Sequence, residues 1–343
     1  MRRYLQYIIS SVSVLSLLFV TTSCEHKDLC YHHPHTKTLK VVFNWENAPN
    51  ANPKGMCVYF YPFEGGSGYR FDFNNLNGGQ ISLPVGKYRV LTYNNDTEAQ
   101  TFRNMDNYSL HNVTTRLGSV LEPLYGNAMQ HAPRSEGTED ESVYITPDMM
   151  WGCNVMEVEV TDDGLNYIHI TIEGSGLTSP LPVFNKEYII TLYPHELLCT
   201  YTYEVRNVKN LKHVQQMSGT LSGMSPMLTF STEKIGREPV TIPFEAYSNG
   251  ISTVTGKFYT FGHHLENTNP HRMVFYVVMD NGEKYCFKDN DNLDVTQQVH
   301  EAPDYRHVHL IIDGLELPEP IENGSGIKPE IDDWEVIEED VIL

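Results

Sequence analysis

Cys24 is the side chain of this sequence with the clearest chemistry. It closes Val20-Thr21-Thr22-Ser23-Cys24, where small residues lead to a thiol. Ahead of it runs an apolar stretch from about Ile8 to Val20, broken by Ser10, Ser11, Ser13 and Ser16 and preceded by Met1-Arg2-Arg3. That stretch is shorter than the ~20 apolar residues of a membrane span, and a basic start followed by a short apolar core is the make-up of a signal peptide. A thiol at this junction can take a diacylglycerol thioether before cleavage, which leaves Cys24 as an acylated first residue with three chains in all. One chain attaches only marginally and further chains make the attachment stable. An ordinary cleavable signal with a chance cysteine is the weaker explanation.

Fifteen histidines raise the question of metal binding and acid–base work. His32-His33-Pro34-His35 gathers imidazoles that could hold a transition ion, but it lies just past Cys24 with no acidic or thiolate companion and reads as a solvated tether. His307 and His309 share one face of a strand, as two zinc ligands would, and equally as alternate polar residues facing solvent would. His263-His264 follows Gly262 in a loop and reads the same way. Asp289-Asn290-Asp291-Asn292-Leu293-Asp294 offers closely spaced oxygens, without the glycine and glutamate positions of an EF-hand loop. A turn whose Asx side chains cap their own backbone fits it better. Gly-x-Ser-x-Gly, His-Glu-x-x-His, a phosphate loop and a dinucleotide fingerprint are missing. The expectation is no catalytic residue, no metal site, no cofactor and no enzymatic activity.

Charge and cysteine content narrow the partners. Removing residues 1–23 takes away two positive charges and moves the net charge from −20 to −22. So acidic a chain is repelled by nucleic-acid phosphates and anionic headgroups, which excludes nucleic acid and fits a body held at a membrane by lipid. Cys30, Cys57, Cys153, Cys199 and Cys286 match no metal or redox spacing. Cys57, Cys199 and Cys286 sit inside apolar or aromatic runs, as small buried hydrophobes do. One disulfide fits an oxidising periplasm; no pair is assigned.

The elements that must position these residues are strands. Leu39, Val41, Phe43 and Trp45 alternate onto one face. Met56–Tyr61, Tyr69–Phe73, Gln80–Leu83, Lys87–Tyr93, Val155–Val160 and Asn166–Ile172 continue the pattern between Asn, Gly and Pro clusters. Leu198–Val208, Val240–Tyr247, Ile251–Phe261, Met273–Met279, Lys284–Lys288 and His307–Ile312 repeat it. Many short strands with turn signals between them mark a sandwich or barrel. Asn281-Gly282 predicts a hairpin through two residues that both accept positive φ. Ala132–Ser142 is too polar to bury a face and predicts an exposed loop; Gly174–Pro182 reads as an interdomain connection. A length of about 320 residues after the signal favours two domains. The 21 tyrosines and three tryptophans leave a glycan as a secondary ligand through stacking faces, although most sit at strand positions that pack cores.

Several segments together resemble the fimbrillin-like lipoproteins of Bacteroidetes, including the anchor and accessory subunits of their fimbriae. Leu83-Pro84-Val85-Gly86-Lys87-Tyr88-Arg89-Val90-Leu91-Thr92-Tyr93-Asn94-Asn95 looks like a strand of that family's first domain. Val208–Lys212 and Ser218–Met224 resemble the start of its second domain, and Asn292–Val299 its late "aspartate-valine-threonine" segment. Cys24-Glu25-His26-Lys27-Asp28-Leu29-Cys30 also has the family's look, with acidic residues that loosely match a signal for export to the cell surface.

The resemblance implies an all-β protein with two tandem transthyretin-like β-sandwich domains after a lipoprotein signal peptide. Its division is 1–23 signal peptide, 24–35 lipidated tether, 36–185 N-terminal sandwich, 186–317 C-terminal sandwich and 318–343 acidic tail. It implies assembly with fimbrial subunits by strand exchange, in which backbone hydrogen bonds supply affinity and alternate side chains supply register. Stalk subunits of the family are cut after an arginine near the first strand. Here the first arginine after Cys24 is Arg70, inside a later strand, which is what an uncleaved anchor would show. The expected role is a lipid-anchored outer-membrane protein at the cell surface, a fimbrial anchor or accessory subunit. Trp334, Val336, Val341 and Leu343 of the tail are the candidate partner strand. The rival reading is an outer-membrane lipoprotein that binds glycans or host ligands on the same platform, and a hydrolase comes third.

Overall fold

The computed structural model describes residues 36–126, 141–169, 181–288, 291–319 and 335–337. Cys24, His32, His33, His35, Trp334, Val341 and Leu343 lie outside them. Strands follow as β1 (Thr36–Phe43), β2 (Met56–Pro62), β3 (Tyr69–Phe73), β4 (Gly79–Pro84), β5 (Gly86–Asn94), β6 (Gln100–Arg103), β7 (Asn112–Thr115), β8 (Ser142–Val143), β9 (Trp151–Val160), β10 (Leu165–His169), β11 (Leu181–Asn185), β12 (Ile189–Leu192) and β13 (His195–Glu196). After these come β14 (Cys199–Lys209), β15 (Val214–Met224), β16 (Met227–Thr229), β17 (Lys234–Ile235), β18 (Val240–Glu245), β19 (Tyr247–Ser248), β20 (Val254–Thr260), β21 (Met273–Met279), β22 (Lys284–Phe287), β23 (His307–Glu316) and β24 (Glu335–Ile337). The helices described are one-turn pieces, at Glu122–Tyr125 and Thr296–His300 among them. The architecture is nearly all β.

In the first half a three-stranded sheet, β12-β1-β4, faces a seven-stranded one ordered β11-β10-β9-β5-β2-β3 with β13 beside β9. Leu39, Val41 and Phe43 alternate inward from β1 as the sequence predicts, against Met56, Val58 and Phe60 of β2. Trp45 falls past the strand's end, where its indole N–H donates to the Leu76 carbonyl at 2.9 Å. β12 runs parallel to β1, from Lys40↔Ile189 to Phe43↔Leu192, so strands beyond Asn185 still belong to this pair of sheets.

Met56–Tyr61 reads as an unbroken apolar run because β2 is covered on both faces. Cys57, Tyr59 and Tyr61 point away from the first core into another, closed by the sheet β17-β16-β7-β6. That covering sheet draws on both halves of the sequence, since Val113 of β7 pairs with Leu228 of β16.

The second half pairs the sheet β19-β20-β14-β23 with the six-stranded β24-β22-β21-β15-β18-β8. β14 and β23 alternate buried and exposed positions, with one face in the core and the other wet. Tyr203, Phe244, Phe258 and Phe275 fill the core between the sheets; Phe244 stacks on Phe258 with ring centroids 4.5 Å apart. Val274, Tyr276 and Cys286 face outward from the six-stranded sheet and are covered by Val120 and Leu121 beside the Glu122 helix.

Two turns depart from the sequence reading. The β21–β22 hairpin forms, but Met279 N–H donates to Glu283 O across Asp280-Asn281-Gly282, a three-residue loop. Gly282 alone takes positive φ, at 89°, because Asn281 instead turns its side chain to accept from Glu283 N–H at 3.0 Å. The polar 132–142 stretch, of which residues 132–140 lie outside the described part, does not stay exposed to its end. Glu141 is buried, its Oε2 accepting from Gly223 N–H and the Thr241 hydroxyl at 3.1 and 2.9 Å, and Ser142–Val143 then joins β18 in parallel.

Candidate functional site

Two features of the second half could act on something outside the chain: an edge of the six-stranded sheet and a cluster of imidazoles. At the edge, β22 has β21 on one side and β24 on the other. β24 lies parallel to it with Tyr285↔Glu335, Cys286↔Val336 and Phe287↔Ile337 in register. The opposite edge is closed in the same way by the two-residue β8 on β18. An open strand edge is a row of unpaired N–H and C=O groups that invites another chain. Here both edges of one sheet are occupied by strands of three residues or fewer, brought from far along the sequence. Of the tail residues singled out from sequence, the described part includes Val336, and it sits on this edge.

The imidazole cluster is assembled from three separated segments. His263 follows β20 in the loop after Gly262, His271 precedes β21, and His300 ends the Thr296–His300 helix. Their ring centroids are 5.2, 4.9 and 5.1 Å apart, nearly an equilateral triangle. His271 is 0% exposed, and its Nδ1 lies 3.0 Å from the Ser222 carbonyl. Burial, and then the neighbouring imidazoles, hold His263 down to about 4; burial also lowers His271. The loop bearing His271 is fixed on both sides, by its backbone N–H to Thr296 Oγ1 at 2.8 Å and by Arg272 N–H to Ser222 Oγ at 2.9 Å.

Gly223 makes the approach of His271 possible. The pairing of β15 with β18 shifts register between Leu221 and Met224, a bulge, and Gly223 inside it has φ of +78°. A Cβ there would stand 2.6 Å from His271 Nδ1. Bulges of this kind gather beside functional sites because they re-aim side chains.

The cluster was not legible from spacing. The sequence reads His263 as a solvated loop residue, while His271 and His300 sit in unrelated contexts along the chain. Among the other histidines, His307 and His309 do share an exposed strand face, but His307 pairs with Glu196 and Asp304 and His309 with Thr202 Oγ1. They are surface polar positions. Within the described part of the acidic run, Asp294 Oδ1 accepts from Thr296 N–H at 3.0 Å, an Asx cap. The four described cysteines, Cys57, Cys153, Cys199 and Cys286, are thiols and not disulfide-bonded.

Comparison with known proteins places this geometry. A family described as "Domain of unknown function (DUF5119)" matches residues 23–245. A Bacteroides ovatus protein named "Putative fimbrium anchoring subunit Fim4B" is 24% identical over 263 residues, 76% of this chain and 67% of that protein. In three dimensions, a crystal structure described as "a putative adhesin" from Bacteroides ovatus superposes with a TM-score of 0.54 at 18% identity, covering 87% of this chain and 99% of that one. The fimbrial anchor protein Mfa2 from Porphyromonas gingivalis gives 0.44 at 12% identity, over 81% and 91%. No described helix is long and apolar enough to cross a membrane.

Proposed function

From the premise that this chain belongs to the DUF5119 family, we propose that it is a fimbrial anchor or accessory subunit, held at the outer membrane by lipid on Cys24 and facing the cell surface. It works as a structural protein rather than as an enzyme. Kinship with a fimbrium anchoring subunit supplies the class. The observation that carries the mode of assembly is the short parallel pairing of β24 on β22. Three residue pairs hold β24 there, so a strand of a neighbouring subunit can compete for the edge, or the tail itself can leave to fill an edge elsewhere. Backbone pairing of that kind is β-augmentation. The two pairs of sheets are then tandem transthyretin-like sandwiches, with β12 on the first side of their junction.

Arg70 supports an uncleaved subunit. It lies inside β3, bonded through Nε and Nη2 to Asp72 and set over the Tyr59 ring at 5.5 Å. The glycan reading draws less support. The exposed aromatics Tyr69, Phe184 and Tyr247 lie on β3, β11 and β19, outer strands of their sheets, with Phe63 in the loop after β2 and Tyr305 in the loop before β23. No two of them are in ring contact among the described residues.

The deciding experiment is an immunoblot of sheared surface filaments and washed outer membranes, with antibody to residues 36–317. Co-migration with a polymeric ladder in both fractions is the expected result. Confinement to membranes with no filament partner after crosslinking would move the assignment to a ligand-binding lipoprotein. Deleting residues 331–343 is expected to weaken association with the fimbrial partner; unchanged co-purification would remove the tail from the mechanism.

A further inference from the structure

We propose that His263, His271 and His300 bind one divalent transition-metal ion of the zinc class, which clips together the loop after β20, the start of β21 and the Thr296–His300 helix. The proposal is independent of the fimbrial reading and would survive its failure.

The argument begins at His271. Its Nδ1 faces a backbone carbonyl, Ser222 O, which accepts and cannot donate, so Nδ1 must carry the proton. The other nitrogen, Nε2, is then a bare lone pair. It is fully buried and has no hydrogen-bond partner. An unpaired buried acceptor costs on the order of 1–3 kcal/mol, and a fold normally satisfies such a group. Metal-bound histidines have this arrangement, in which one ring nitrogen donates to a carbonyl and thereby fixes the tautomer that presents the other to the ion.

The neighbours supply the remaining ligands. One nitrogen from each of the three rings lies within 4.8 Å of the others. Around a tetrahedral zinc with bonds of about 2.0–2.1 Å the donors would stand roughly 3.3 Å apart, so closure needs a shift of about 1.5 Å. His300 is exposed at a helix end and His263 is half-buried in a loop, so both have freedom to make it, while His271 stays fixed by its backbone contacts. No hydrogen bond links one ring to another among the described contacts, so the three have not gathered to satisfy each other. Imidazole nitrogens suit zinc, copper or nickel and not calcium or magnesium, which take oxygen ligands. Three histidines leave a fourth position on the exposed His300 side for water, the open form of a three-histidine site.

The test uses the full-length protein in detergent, with His32, His33 and His35 changed to alanine so that the tether cannot compete. Zinc chloride is titrated against a chromophoric chelator, and thermal unfolding is followed with and without the ion. The expected result is one equivalent bound, a higher Tm with zinc, and affinity at least ~10-fold weaker in both His300→Ala and His263→Ala. Because His300 is exposed, its variant keeps the fold, and its Tm without zinc should match the parent's. Absence of stoichiometric binding would overturn the proposal, as would binding that both variants leave unchanged.

Discussion

At the scale of single residues, the core between β2 and the β17-β16-β7-β6 sheet holds a polar knot whose protonation can be followed. His111 is fully buried between two tyrosines: Tyr61 Oη is 2.7 Å from Nδ1 and Tyr93 Oη 3.1 Å from Nε2. Tyr61 spends its own proton on the Met105 carbonyl at 2.8 Å, so it accepts from His111 Nδ1–H, and Tyr93 donates to Nε2. That chain of donors needs a neutral imidazole, and burial holds His111 down to about 4 from 6.5. Above pH 6.5 the folded and unfolded chains are both neutral there, and the contribution is fully present. As pH falls from 6.5 towards 4 the unfolded chain takes up a proton that the folded one refuses, so stability drains away, by about 3 kcal/mol in all. The urea midpoint should fall across that window, and His111→Gln, which cannot charge, should flatten much of the slope. An unchanged slope in the variant would show that the knot does not titrate. Nothing in the sequence marked His111. Its partners lie on β2 and β5, 50 and 18 residues away, and only their shared burial joins them.

At the scale of elements, β15 shows where sequence patterning fails. Met273–Met279 and Tyr69–Phe73 are strands with the bounds that alternation and β-branched content predict. Val214–Met224 carries Gln, Ser, Gly and Thr without apolar alternation, yet it pairs with β18 and β21 near the middle of the six-stranded sheet. Its small residues are what the neighbours require. A Cβ on Gly219 would come 2.5 Å from the Phe244 ring, and that ring stacks on Phe258 across the core. Gly219→Val should therefore destabilise by roughly 1–3 kcal/mol or more through overpacking, measured as a lower urea midpoint. A neutral result would mean that Phe244 can swing aside. The short edge strands β8 and β24 were equally hidden, since two or three residues carry no period.

At the scale of the whole molecule, the core beneath the β17-β16-β7-β6 sheet joins the two halves of the sequence. Tyr93 of β5 stacks on Phe230 with centroids 4.5 Å apart and planes within 9°, and Phe102 stacks on Tyr93 as well, at 4.7 Å. The β7–β16 pairing adds backbone hydrogen bonds across the same junction. Lys37–Leu343 behaves as one compact unit for this reason, and it should melt in a single cooperative transition. Phe230→Ala, which removes a buried ring at a cost of about 3–5 kcal/mol, should split or broaden that transition in calorimetry. A single sharp transition in the variant would place the coupling elsewhere. The all-β character was legible in alternation. This junction was not, because its strands, β6, β7, β16 and β17, have two to four residues each.

The free thiols bear on the chain's history rather than on its finished form. Cys57, Cys199 and Cys286 are buried in three different cores, and burial pushes Cys57 up to about 12 and Cys199 to about 11, where thiolate, the reactive form, is scarce. Once packed, they cannot reach an oxidant or one another. Before packing, every one of them can. On the export route proposed above, through an oxidising compartment, the interval between translocation and closure of the cores is then a race. A molecule that crosslinks first is barred from the native arrangement, so the same burial that makes these thiols inert also makes prompt folding a condition of correct folding.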